Sequence, residues 1–229
     1  MQQTTSPAPQ AAKPKPKPLV PPAEFREGGI ATMDAAGLNG ILKDPAASEF
    51  QKAKACQRAG EVASKDTVPA LAALLDNEHL SVYARYGLEP IADPSADEAL
   101  RAALTKLKGV RLIGVINSIG KRRDAKAQPT LVKMMHGSEV DVARAAASAL
   151  GHIGASKELL AALPKATGLM KVSVADACLV CAEHMLADGK RSEALALYAA
   201  LSGPDVPKAA RLGAMNGIIR EETSPTRPR

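Results

Sequence analysis

The chain has 229 residues, 46% of them apolar but only 2% aromatic, with two Phe, three Tyr and no Trp, and it carries a formal net charge of +6. That length suits one ordinary domain with appendages, and a core filled by Ala, Leu, Val and Ile favours packed helices over strands, which draw on aromatic and β-branched side chains. Three cysteines without framework spacing argue against a disulfide-stapled scaffold, and no run approaches the roughly 20 apolar residues of a membrane helix.

The positive charge is concentrated at the termini. Lys13, Lys15 and Lys17 lie in a stretch without acids, as do Arg227 and Arg229; without these five, 25 basic groups face 24 acidic ones. The folded part is therefore close to neutral, and the isoelectric point of 9.3 describes the tails. The start has no charged n-region followed by an apolar h-region, so the chain as it stands carries no signal peptide. The expected compartment is the cytoplasm or, were an export signal removed ahead of Met1, the periplasm or exterior.

Seven of the first 22 residues are Pro, including Lys13-Pro14-Lys15-Pro16-Lys17-Pro18. Such a segment lacks donors for helix or sheet and favours polyproline II. Residues 1–23 thus read as a disordered tail: a semi-rigid arm, a docking strand for an aromatic-lined groove, or simply solvated chain. Gly28-Gly29 reads as a loop hinge. Residues 24–47 form a cap segment with one short helix, begun near Thr32 or Asp34 and carrying Leu38, Ile41 and Leu42 on one stripe.

Repeats follow over residues 48–222. Around Ile91 the positions −11, −7, −4, −3 and 0 hold Leu80, Ala84, Gly87, Leu88 and Ile91; around Ile153 they hold Val142, Ala146, Ala149, Leu150 and Ile153. Around Ile119 the register gives Leu112, Val115 and Ile116, with Lys108 at the weak first position. These spacings are one face of an α-helix. The anchors Val62, Ile91, Ile119 and Ile153 stand 29, 28 and 34 residues apart, the length of two helices and two turns. Two of the second helices match in spacing and carry Pro in their first turn, Pro69-Ala-Leu71-Ala-Ala-Leu74-Leu75 and Pro129-Thr-Leu131-Val-Lys-Met134-Met135. Helical pairs are expected at about 48–77, 79–108, 109–137, 139–167 and 169–202, then a lone helix at about 205–221 and a disordered tail at 223–229. No hairpin buries its stripe alone, so an all-α, right-handed α-α superhelix of about five hairpins is expected.

The run Val142-Ala-Arg-Ala-Ala-Ala-Ser-Ala-Leu-Gly-His-Ile-Gly154, with Tyr83-Ala-Arg-Tyr-Gly-Leu-Glu-Pro-Ile91 and Gly114-Val-Ile-Asn-Ser-Ile-Gly-Lys-Arg-Arg-Asp124, resembles short HEAT-like repeats of the phycobilisome-lyase type found in bacterial HEAT-repeat proteins. The last pair, through Leu186-Ala-Asp-Gly189, Ala194 and Tyr198, is spaced as in a tetratricopeptide hairpin. The resemblance implies a protein-binding scaffold, although some relatives have enzymatic or nucleic-acid roles.

Candidate sites are few. Cys178, Cys181 and His184 recur at i, i+3 and i+6, but ligands on successive turns of one helix diverge, so they read as core thiols beside a partly exposed histidine. His79, His136, His152 and His184 fall in different repeats and read as turn or surface residues. No phosphate loop, zinc-protease helix motif or nucleophile elbow occurs, so neither catalysis, cofactor nor metal is expected. Partner-binding candidates are Tyr83 and Tyr86 flanking Arg85, scarce aromatics beside a guanidinium, and two basic turns, Lys106, Lys108 and Arg111, then Lys121, Arg122, Arg123 and Lys126, expected on opposite edges of the stack. Three functions follow in order: a monomeric protein-binding scaffold, a nucleic-acid binder using the basic turns and tail, and an enzyme subunit of the phycobilisome-lyase kind.

Overall fold

The computed structural model describes residues 29–62 and 64–223. The Pro/Lys-rich segment expected over 1–23, the start of the cap segment and the tail from 224 onward lie outside the described residues. Within them the protein is all helical, with twelve α-helices and no strand. Thr223, expected at the head of the C-terminal tail, is the last residue of α12.

The helices are α1 (Ala35–Lys43), α2 (Glu49–Val62), α3 (Val68–Ala72), α4 (Ser81–Leu88), α5 (Pro94–Ala103), α6 (Gly109–Lys121), α7 (Gln128–Met135), α8 (Val140–Ile153), α9 (Ser156–Ala162), α10 (Gly168–Ala187), α11 (Arg191–Ala200) and α12 (Lys208–Thr223). Local chemistry fixes their starts. The Asp34 side chain accepts from Gly37 N to cap α1, and Asp93 accepts from Ser95 N to cap α5. α3 and α7, the two Pro-started helices, are each entered through a 3-10 turn, Lys65–Thr67 and Ala125–Ala127, whose own caps are Ser64 and Asp124.

Helix–helix packing follows chain order. The even-numbered helices touch in sequence, α2 with α4, α4 with α6, α6 with α8, α8 with α10 and α10 with α12, while α1, α3, α5, α7, α9 and α11 pack onto their chain neighbours. Like ends of the even helices lie together. Near their starts Arg144 of α8 meets Ser173 of α10, and near their ends His152 meets His184. One continuous apolar core runs from Ile30 to Ala214, with Leu71, Leu88, Leu100, Ile116, Ile119, Leu131, Leu150, Leu159, Tyr198 and Leu201 among its fully buried large side chains.

Small residues let the even helices approach closely. A Cβ placed at Gly87 would stand 2.9 Å from Cys56 O, at Gly120 2.8 Å from Ala149 Cα, and at Gly151 2.5 Å from Ala177 O. Each is backbone of a neighbouring even helix, so contact there is between main chains and leaves no room for a methyl group.

Three helices of the row end in the same way. At the end of α8, Ala155 N donates to Leu150 O and Gly154 N to Gly151 O; at the end of α10, Lys190 N donates to Met185 O and Gly189 N to Leu186 O. These double bonds form a Schellman cap, which requires positive φ at the residue after the helix, and Gly154 (φ 93°) and Gly189 (φ 78°) supply it. α6 closes identically, through Asp124 N to Ile119 O and Arg123 N to Gly120 O, yet the left-handed position holds Arg123 at φ 55°. A side chain there costs roughly 1 kcal/mol relative to glycine.

Candidate functional site

The exposed positions of the even row repeat at helical spacing. α8 turns Asp141, Arg144 and Ser148 outward, α10 turns Val172 and Asp176 outward, and α6 turns Asn117 outward. Between these helices lies an open cleft of about 480 Å³. Its floor includes Ala145 and Ala177, its walls include Ile113 and Val180, and its rim carries Asn117, Asp141, Ser148 and Asp176. Arg144 crosses the cleft's entrance, its Nε donating to Ser173 Oγ at 3.0 Å while its guanidinium stands 3.7 Å from Asp141. The chemistry on offer is a shallow trough with an alanine floor, an aliphatic wall and a rim of mixed charge. Such a surface offers shape and hydrogen-bonding groups rather than a concentrated charge.

Large apolar side chains flank this trough at the starts of the row's helices. Val82 on α4, Val110 on α6, Val140 on α8 and Leu169 on α10 are all exposed, Val110 at 84% of its surface. Tyr86, half exposed on α4, continues the same face, its ring resting against Gly60 of α2.

The other partner-binding candidates are placed differently. Tyr83 packs partly buried against the core. Arg85 reaches from α4 to α6, donating through one terminal nitrogen to Gly114 O at 3.2 Å and Ser118 Oγ at 3.4 Å, and burial lowers its pKa. Arg122 reaches back from the end of α6 to close α4: it donates to Leu88 O at 3.1 Å and to Glu89 O and Ile91 O at 2.7 Å, and pairs with Asp97 at 2.5 Å, with only 9% of its side chain exposed. Arg123 pairs with Asp188 at 2.5 Å, a bond between the ends of α6 and α10. That pairing raises the Arg123 pKa and lowers that of Asp188. Lys121 pairs with Glu89 at 2.6 Å and Arg111 with Asp76 at 3.1 Å, whereas Lys106, Lys108 and Lys126 are exposed. The two basic turns stand at opposite ends of α6, whose 13 residues span about 20 Å.

Sequence spacing hides one pair. His79 and His136 are exposed, but His152 Nδ1 and His184 Nε2, 32 residues apart, stand at 3.0 Å across the α8–α10 contact. Burial, then His184, then Arg123 lower the His152 pKa. Only the register of α8 against α10 brings these rings together. Cys178 and Cys181 lie on the buried side of α10, their thiols pushed up to about 12 and about 11 chiefly by burial. Among the described residues no three His, Cys, Asp or Glu side chains gather in a way that could hold a metal ion, and no helix is long and apolar enough to cross a membrane.

Neither a protein-family model nor a curated protein matches the chain. The reading of function rests on the geometry of the row.

Proposed function

We propose that the protein is a non-catalytic scaffold of the HEAT-like type, a superhelix of about five helical hairpins that binds a segment of a partner protein along the outward face of α4, α6, α8 and α10. The observation that carries this reading is the trough between α6, α8 and α10, floored by Ala145 and Ala177 and flanked by exposed Val110, Val140 and Leu169. Contiguous apolar surface rimmed by polar groups marks protein-interaction sites, and small floor residues at consecutive helices leave space for an incoming side chain. The order of packing along the even row supports a stacked superhelix, since it is what repeats produce when each buries its stripe against the next. The engagement of Arg85, Arg111, Lys121, Arg122 and Arg123 within the fold favours a protein partner over a polyanion, because a guanidinium already holding a carboxylate or carbonyl has less to offer a phosphate.

The test is photo-cross-linking in cells that make the protein. A benzophenone side chain at Ser148 or Asp176 is expected to capture one discrete protein, and the same group at Glu158 on α9 is not. Ala145→Arg, which fills the trough, should abolish capture while leaving helicity by circular dichroism unchanged. Equal labelling from all three positions, or capture that survives Ala145→Arg, overturns the reading.

A further inference from the structure

α12 is built inside out. Its fully buried residues are the small ones, Ala210, Ala214 and Gly217, and Ile218 packs partly buried against the core, whereas its other large apolar side chains point to solvent: Leu212 is 49% exposed, Met215 46% and Ile219 55%. At 100° per residue these three, with Lys208 and Glu222, occupy one 80° stripe. Gly213, which faces Leu179 of α10, and Gly217, which faces Tyr198 of α11, lie on other sides of the helix. Among the described residues nothing covers this stripe, and three large aliphatics on one exposed stripe are what an interface presents.

Charge decides what covers it. Five residues of α12 are charged, and three are engaged near by: Arg211 donates to Pro204 O, Arg220 pairs with Glu183 at 3.0 Å, and Glu221 pairs with Arg191 at 3.2 Å. Lys208 and Glu222 remain, exposed, of opposite sign, at opposite ends of the stripe and about 21 Å apart. A helix carrying this pattern is complementary to itself in antiparallel orientation. With a two-fold axis beside Met215, Leu212 of one copy meets Ile219 of the second, and Lys208 of one meets Glu222 of the second. The Lys208–Glu222 and Met215–Met215 matches share one register, and Leu212–Ile219 is displaced from it by one residue, about 1.5 Å, a gap that side chains of this length span without sliding. We propose that the protein forms a two-fold symmetric dimer by antiparallel packing of α12 on α12, in place of the monomer expected from sequence. The contact is isologous and closes on itself, and it leaves the trough between α6, α8 and α10 open on both copies.

Sedimentation equilibrium of the full chain over a range up to about 100 µM tests this. The expected result is a reversible dimer. Lys208→Glu and Glu222→Lys should each weaken it by about tenfold or more, through like charges brought face to face, while the double variant Lys208→Glu/Glu222→Lys should return to within about threefold of the parent. Met215→Cys, on the axis, should form a single intermolecular disulfide under mild oxidation. All three positions are solvent exposed, and circular dichroism verifies that each variant stays helical. A monomer at every concentration, or a double swap that fails to restore association, overturns the proposal. So does a dimer that Met215→Arg leaves intact. Failure here leaves the trough untouched, and failure of trough cross-linking leaves the dimer untouched.

Discussion

At the scale of single residues, Arg122 carries more of the fold than its place in a run of basic residues implies. Three carbonyls at and just past the end of α4 and the carboxylate of Asp97 all converge on it. Removing one partner of a largely buried ion pair leaves the other stranded, so Arg122→Ala should cost about 3 kcal/mol in urea unfolding. Arg122→Lys should recover less than half of this, since an ammonium lacks the planar fork that reaches several acceptors at once. A surface role would instead leave stability unchanged. Lys-Arg-Arg at 121–123 reads in sequence as one basic patch; the side chains part because helix ends turn each successive residue by about 100°. The identities were legible, but their destinations depend on where the carbonyls of α4 and the carboxylate of Asp188 come to lie.

The His152–His184 contact gives a pH dependence whose sign is fixed. The folded-state pKa of His152 is lowered, so the unfolded chain binds its proton more readily. Stability from this group is then present when the imidazole is neutral and is lost as the pH falls through the ordinary value of about 6.5. The thermal midpoint should decline between about pH 7.5 and 5.5, and His152→Gln should flatten that decline. An unchanged slope in the variant would place the proton uptake elsewhere.

At the scale of helices, the spacing of the row depends on glycine. Gly151→Val puts a branched side chain where even a Cβ would stand 2.5 Å from Ala177 O, so α8 and α10 must separate. Overpacking of this kind costs about 1–3 kcal/mol, more than the fraction of a kcal/mol that better helix propensity returns. Differential scanning calorimetry should show a lowered midpoint, with the same change at Gly203, which has nothing within 4 Å of a built Cβ, nearly silent. The helices themselves were legible because their apolar residues recur at 3 and 4, and because Asp34, Pro69 and Pro129 mark starts by simple donor arithmetic. The cap on α6 was not: a Schellman turn is announced by glycine, as at Gly154 and Gly189, and Arg123 sits in that position without announcing it. Nor was α12, whose periodicity says which residues share a stripe but not which stripe faces in.

At the scale of the whole molecule, the three free thiols report on how the two ends of the row open. Cys56 lies in α2 near one end and Cys178 and Cys181 in α10 near the other, all fully buried, with the Cys56 thiol pushed up to about 12 by burial. Alkylation at neutral pH should therefore require opening. α10 packs against α8, α9, α11 and α12, whereas α2 packs chiefly against α1 and α4. Mass spectrometry of partially labelled protein should find Cys56 modified first, and simultaneous labelling of all three would mean that the core opens as one unit. Composition and repeat spacing reach as far as the helical class. Contacts between residues 25 to 65 apart set the rest, and no local pattern encodes those.

The pair between Arg123 and Asp188 joins the ends of α6 and α10 across the intervening α8. It acts as a chord drawn over an arc, tying two helix ends at the rim opposite Val110 and Leu169. Ionic strength weakens such an exposed bond far more than it weakens the alanine-lined contacts beneath. Salt therefore loosens this tie first, while the helices beneath it keep their lengths and their order.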